Sequence, residues 1–281
     1  MKFQYLGTAA AEGIPALFCS CDICREAARR GGKELRMRSG ALVNDQVLID
    51  LNPDLFAAKL RFGLDLSNVR NAIITHAHSD HFDREMMGFF TPTCAHIAKT
   101  GDQFHLWGSA YTASAWKEYT STMQMKEPEL EQYVVFHELK PFETVEIEGI
   151  RVTALKARHS CPESLIYILE QDDARLLYAN DTGPLDAETW DYLSAHRERP
   201  FTTVSLDSTM GYPKNTYYGH MSLEENIETK NRMLAEGMAD QNTRFICHHF
   251  SHNALALHEE TVVYMKPYGF DVAYDGLTFD A

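Results

Sequence analysis

Positive charge is short in this sequence: 26 lysines and arginines stand against 40 aspartates and glutamates, a formal net charge of -14. That balance excludes broad, sequence-independent nucleic-acid binding, which needs a basic surface. No stretch approaches the ~20 apolar residues of a membrane span. Internal repeats, low-complexity tracts and long linkers are missing too, so a repeat architecture is excluded. No basic-plus-apolar leader precedes the strand-like pattern that starts in Met1 to Leu6, and the expectation is a soluble, cytoplasmic chain. Cysteine is scarce and uneven. Of six, Cys19, Cys21 and Cys24 cluster, while Cys94, Cys161 and Cys247 are scattered, a metal-site distribution rather than a disulfide framework. Bound cations would offset part of the acidity.

What is present is apolar enough for a core: 44% of the 281 residues are hydrophobic and 23% charged. Strand-like runs fall at residues 3–6, 41–43, 47–50, 71–75, 104–107, 133–137, 144–147, 150–156, 164–169, 175–179, 201–206 and 244–247. Helical patterns cover Arg25 to Arg30, Pro53 to Arg61, Ala110 to Thr120, 186–195 and Leu223 to Ala235, and Phe82 to Glu85 reads as a helix start. Asn44-Asp45 marks a hairpin, and a helix and a final hairpin are expected beyond Asn253. The order fits an α/β fold in which two face-to-face sheets carry helices outside.

The sequence centres on Thr75-His76-Ala77-His78-Ser79-Asp80-His81, three imidazoles and a carboxylate packed behind a short buried strand. Imidazole is the commonest protein metal ligand, and an adjacent carboxylate adds charge for a divalent ion. His76 and His78, two apart in a loop, can share one ion, and Asp80 and His81 can face a second. Downstream, His159, Asp181 and His249 each sit where a predicted strand hands over to a loop, the place from which side chains converge in a layered fold.

Taken in order, these motifs resemble the metallo-β-lactamase fold superfamily over essentially the whole chain. The resemblance implies one domain, residues 1–281, built as a four-layer αβ/βα sandwich with a two-metal site on one edge. By that match His76, His78 and His159 bind one metal; Asp80, His81 and His249 bind the other; Asp181 bridges them; and Asp50 supports the His loop from behind. A bridging aspartate argues against true β-lactamases, and His78 stands where oxygen-reducing di-iron relatives carry glutamate. Cys19-x-Cys21-x-x-Cys24, with His252 three residues past His249, supplies three thiolates and one imidazole, a set suited to a structural zinc. This pattern is similar to that of the phosphodiesterases that open phosphoribosyl cyclic phosphate, relatives of ribonuclease Z. In that family a histidine placed like His220 lies against the scissile phosphate and assists the leaving oxygen, while the metals hold a hydroxide nucleophile.

The expectation is therefore a dinuclear metal-dependent phosphodiesterase with His220, Asp80 and Asp181 in its catalytic machinery. Zn(II), Mn(II) or Fe(II) could fill the active-site pair, and one zinc the Cys-rich loop at about 19–24. No Gly/Lys/Arg-rich arm for a large RNA is present, which favours a small, cyclic or linear phosphodiester. A homodimer is implied by resemblance alone. The competing readings are a protein of pyrroloquinoline quinone biosynthesis, which shares the CxCxxC opening, and a non-catalytic metal-stabilised scaffold. Asp207 either orients His220 or caps a turn, Tyr217 and Tyr218 either wall the pocket or pack, and His258 reads as ordinary. Residues 94–145 match nothing in the pattern.

Overall fold

The computed structural model of the protein describes residues 1–96, 101–122, 130–212, 218–254 and 257–281. Tyr217 lies outside them. The first sheet contains β1 (Lys2–Gly7), β2 (Gly40–Val43), β3 (Val47–Ile49), β4 (Asn71–Ile73), β5 (Phe104–Gly108) and β6 (Val134–Glu138). The chain then crosses to the second sheet for β7 (Thr144–Ile147), β8 (Ile150–Lys156), β9 (Leu165–Gln171), β10 (Ala174–Ala179), β11 (Thr203–Asp207), β12 (Arg244–His248) and β13 (Phe270–Val272). It returns for β14 (Thr278–Asp280). The spatial orders are β14-β1-β2-β3-β4-β5-β6 and β13-β12-β11-β10-β9-β8-β7.

The helices are α1 (Asp22–Arg30), α2 (Leu55–Phe62), α3 (Ala110–Thr122), the single turn α4 (Leu130–Tyr133), α5 (Ala187–Ala195), α6 (Leu223–Ala235) and α7 (His258–Met265). Three apolar layers explain the stacking. Phe3, Tyr5, Ile49, Ile73, Tyr167 and Tyr178 fill the space between the sheets. Leu48, Ala58, Leu106 and Trp116 pack α2 and α3 on the first sheet. Trp190, Leu193, Leu223, Met233 and Met265 pack α5, α6 and α7 on the second. The result is the expected four-layer αβ/βα sandwich. Strands β8 to β12 are buried almost throughout, because both their faces are covered.

Local chemistry sets several boundaries. Asn44 and Asp45 adopt φ of 51° and 56°, left-handed backbone that turns the chain between Val43 and its partner Val47, with Gln46 N donating to Val43 O (2.9 Å). Ser222 and Glu225 form a reciprocal capping box that starts α6. Two sequence expectations fail. The segment after His81 is a 3₁₀ turn over Arg84–Phe89 rather than a helix beginning at Phe82. Phe82 is held extended, because Leu51 N donates to His81 O (2.8 Å) and Asp83 N donates to Leu51 O (2.7 Å). The last two strands are not a hairpin: β13 runs parallel to β12, and β14 pairs antiparallel with β1 in the other sheet. Strand propensity marks such runs but does not name their partners.

Candidate metal centre

The C-terminal ends of β3, β4, β8, β10, β11 and β12 meet at one rim. Asp50, His76 to His81, His159, Asp181, Asp207 and His249 sit at or just beyond those ends. Asp50, Asp181 and His249 turn through left-handed backbone, with φ of 65°, 48° and 61°. Such angles are uncommon for residues with a Cβ and persist where surrounding contacts enforce them. The sheets are tied here: Tyr167 Oη donates to Ile74 O (2.6 Å) and Leu165 N donates to Thr75 O (2.8 Å).

The structure brings the predicted residues together. His76 Nε2 is 3.0 Å from His78 Nδ1, and His159 Nε2 is 3.3 Å from that same atom. Asp181 Oδ2 lies 3.7 Å from His76 Nε2, 2.5 Å from His81 Nε2 and 3.3 Å from His249 Nε2. Asp80 Oδ2 is 3.3 Å from His81 Nε2. One carboxylate oxygen thus faces imidazoles from both halves of the cluster.

Whether cations fit can be judged from the donors. His81 Nε2 and His249 Nε2 are buried and make no hydrogen bond, although each is close to Asp181. Buried polar atoms without partners are rare, and ring nitrogens converging on one carboxylate oxygen are what a divalent cation, displacing their protons, would satisfy. The opposite ring nitrogens are held. Thr75 Oγ1 is 3.0 Å from His76 Nδ1, and Asp50 Oδ2 is 2.7 Å from His81 Nδ1. Gly219 O is 3.1 Å from His159 Nδ1, and Thr209 Oγ1 is 2.6 Å from His249 Nδ1. Asp50 also accepts from Thr75 N (2.7 Å), the support behind the His loop that the sequence suggested. Thr209 and the Gly219 carbonyl carry no sequence signal of their own, because they act through loop register.

Burial alone would depress His81 and His249, but the carboxylates around them outweigh it: His81 is raised well above the usual range and His249 to about 10. Burial and the neighbouring charge on His81 push His76 well below its ordinary value. Asp181 is held well below the carboxylate range, because His249 and His81 overcome the cost of burial.

His220 stands beside this cluster. Its Nδ1 donates to Asp207 Oδ2 (2.9 Å) and lies 3.3 Å from Asp181 Oδ1. Burial would lower His220, yet Asp207 more than compensates and raises it. Asp207 performs both of its expected roles, since its Oδ1 also accepts from Thr209 N (3.0 Å) and Met221 N (3.0 Å). The loop carrying His220 rests on Gly183, where an added Cβ would stand 2.2 Å from Tyr218 O. Tyr218 is 55% exposed, with the Arg158 guanidinium over its ring. His248 points away from the cluster, buried beside Tyr5 and Tyr178. A cavity of about 420 Å³ opens over the rim, lined by His78, Asp80, His159, Asp181, His220 and His249 among others.

Cys19, Cys21, Cys24 and His252 form a second cluster, with their donor atoms within 4.8 Å of one another. Sulfur and nitrogen ligands of one tetrahedral zinc stand about 3.5 Å apart. His252 Nδ1 is 3.5 Å from Cys21 Sγ and 3.7 Å from Cys19 Sγ, so the donor set fits. Cys21 caps α1 by accepting from Cys24 N, which with His252 lowers its thiol to about 6.

A two-sheet sandwich with a rim of histidines and aspartates defines the class: a fold family that is metal-dependent and mostly hydrolytic. The chain belongs to the β-lactamase superfamily, whose family description, "Beta-lactamase superfamily domain", matches residues 45–250. A diphosphatase from the PhnP family is 21% identical with a TM-score of 0.75, covering 100% of this chain and 97% of its own. Zn(2+)-bound PqqB from Methylobacterium extorquens is 17% identical with a TM-score of 0.73, covering 100% of both chains. Human tRNase Z, short form, is 14% identical with a TM-score of 0.63, covering 100% of this chain and 99% of its own. These likenesses are of fold. An octanoyltransferase from Porphyromonas gingivalis is 31% identical over 85 residues, 29% of this chain, and the match spans only 16% of that protein.

Proposed function

We propose that this chain is a dinuclear metal-dependent hydrolase acting on a small phosphodiester, with residues 1–281 working as one cytoplasmic domain. His76, His78 and His159 would hold one cation, and Asp80, His81 and His249 the other, with Asp181 shared between them. Zinc or manganese suits these ligands, and iron is compatible. The chemistry such a pair supplies is a water of lowered pKa and positive charge against the phosphoryl oxygens. Cys19, Cys21, Cys24 and His252 would hold a structural zinc that fixes the N-terminal loop beside the rim.

The protein's own groups do the rest. Asp207 keeps His220 oriented and protonated, and His220 Nε2 passes a proton to the leaving oxygen. Thr75, Asp50, Gly219 and Thr209 fix the imidazole orientations. The cavity, about 420 Å³, suits a small molecule rather than a folded RNA. The single observation that carries this reading is the position of Asp181 Oδ2, within 3.7 Å of ring nitrogens from both halves of the histidine cluster. The test is hydrolysis of bis-p-nitrophenyl phosphate by protein loaded with Mn(II) or Zn(II). Release of nitrophenol is expected, and no release with either metal would reject the phosphodiesterase reading.

A further inference from the structure

Ala10, Ala11 and Glu12 of the N-terminal loop form part of the cavity wall. Ala10 N donates to Phe250 O (2.9 Å) and Phe250 N donates to Thr8 O (2.9 Å), so this loop lies zipped against the loop that follows His249. A tight turn closed by Gly13 N to Ala10 O (3.0 Å) projects Glu12 into the same wall. Glu12 Oε1 accepts from Ser251 Oγ and lies 3.7 Å from His252 Nε2. Ser251 Oγ in turn accepts from Asn253 N (3.1 Å). His252 therefore turns Nδ1 to the thiols and Nε2 to Glu12, the orientation in which a carboxylate fixes a metal-binding imidazole.

Charge gives this wall a second consequence. Among the described residues lining the cavity there is no lysine or arginine. Apart from the candidate metal ligands and His220, Glu12 is the one ionisable side chain among the described residues that line it. The metal pair of that reading would neutralise a phosphodiester centre, but a second phosphate on the same substrate would meet the Glu12 carboxylate and, among the described residues lining the cavity, no lysine or arginine. Hydroxyl groups or an ammonium would instead find an acceptor there.

We propose that Glu12, held by Ser251 and His252, is the specificity-determining residue of this site: it selects substrates whose remote portion carries hydroxyls or a cation and rejects those with an additional phosphate. This rests on the phosphodiester reading above. Its test compares thymidine 5′-(p-nitrophenyl phosphate), which has a free 3′-hydroxyl, with its 3′-phosphorylated counterpart, so that the reacting centre is unchanged. In parallel, binding of thymidine 5′-phosphate and thymidine 3′,5′-bisphosphate to the metal-loaded protein is measured by calorimetry, which needs no turnover.

In the unsubstituted protein, the 3′-hydroxyl form should be preferred by at least about tenfold in kcat/KM, with binding following the same order. Glu12→Gln should lower that ratio several-fold, and Glu12→Lys should invert it. If nothing is hydrolysed yet the binding ratio shifts in this way, the phosphodiesterase reading fails and the selectivity assignment stands. An unchanged ratio across the three proteins, or no binding of either nucleotide, overturns the proposal. So does an equal loss for both ligands that tracks loss of zinc from the cysteine cluster, which would make Glu12 only a support for His252.

Discussion

At the scale of single residues, the rim divides into groups that would bind metal and His220, which would act on a proton. His220→Ala should leave metal content unchanged while lowering turnover by about 10²- to 10⁴-fold, as measured by metal analysis and steady-state kinetics on one preparation. Equal activity in the variant would remove its role. Asp50→Ala takes away the acceptor for His81 Nδ1 and Thr75 N, and metal affinity should fall by about 10- to 100-fold in a competition titration with a chelator. The convergence of the candidate ligands was legible because four of them crowd into 76–81 and the others follow strong apolar strands. Asp207 was legible only as a choice between two roles. Thr209, the Gly219 carbonyl and Glu12 were not legible at all. Their parts depend on which loops lie side by side, and no local pattern encodes that.

At the scale of elements, the rim is kept in place by a buried polar link between chain ends. Arg36 donates to Thr8 Oγ1 (2.7 Å), Ala273 O (2.7 Å) and His258 Nδ1 (3.1 Å), and stacks over Phe250. Thr8 Oγ1 also donates to Asp275 Oδ1 (2.7 Å), and Glu34 Oε2 accepts from His258 N (2.7 Å). This joins the N-terminal loop, α7 and the crossing from β13 to β14. Sequence spacing marked His258 as ordinary, since its partners are more than 200 positions away.

Burial and the Arg36 charge depress His258 to about 4, against about 6.5 in an unfolded chain. A depressed histidine adds stability that is present above pH ~6.5 and is lost as pH falls toward 4, on the order of 3 kcal/mol. His258→Gln should therefore lose stability at pH 7 but follow a shallower acid slope than the unsubstituted protein in urea titrations. Parallel slopes for the two proteins would contradict the assignment.

At the scale of the whole molecule, the four layers were readable because apolar alternation and run length track burial. What the pattern could not supply was the pairing of the strands, and with it the reason why exits separated by long stretches of sequence share one rim. The parallel registers answer that. Asp207 sits opposite His248 across β11 and β12, and Ile49 opposite Ile73 across β3 and β4, so successive strands deliver their following loops to the same edge. On the proposed assignment the two clusters load independently. Cys24→Ser should cost the protein its structural zinc and lower its thermal midpoint while the rim keeps its cations, as read by metal analysis and calorimetry.

The most direct test of the shared-rim claim is metal stoichiometry by plasma mass spectrometry on the unsubstituted protein and on Asp181→Ala. Two catalytic cations and one structural zinc per chain are expected, with Asp181→Ala losing both rim cations and retaining the zinc. A full complement in Asp181→Ala, or no divalent metal beyond the zinc in the unsubstituted protein, would contradict the account.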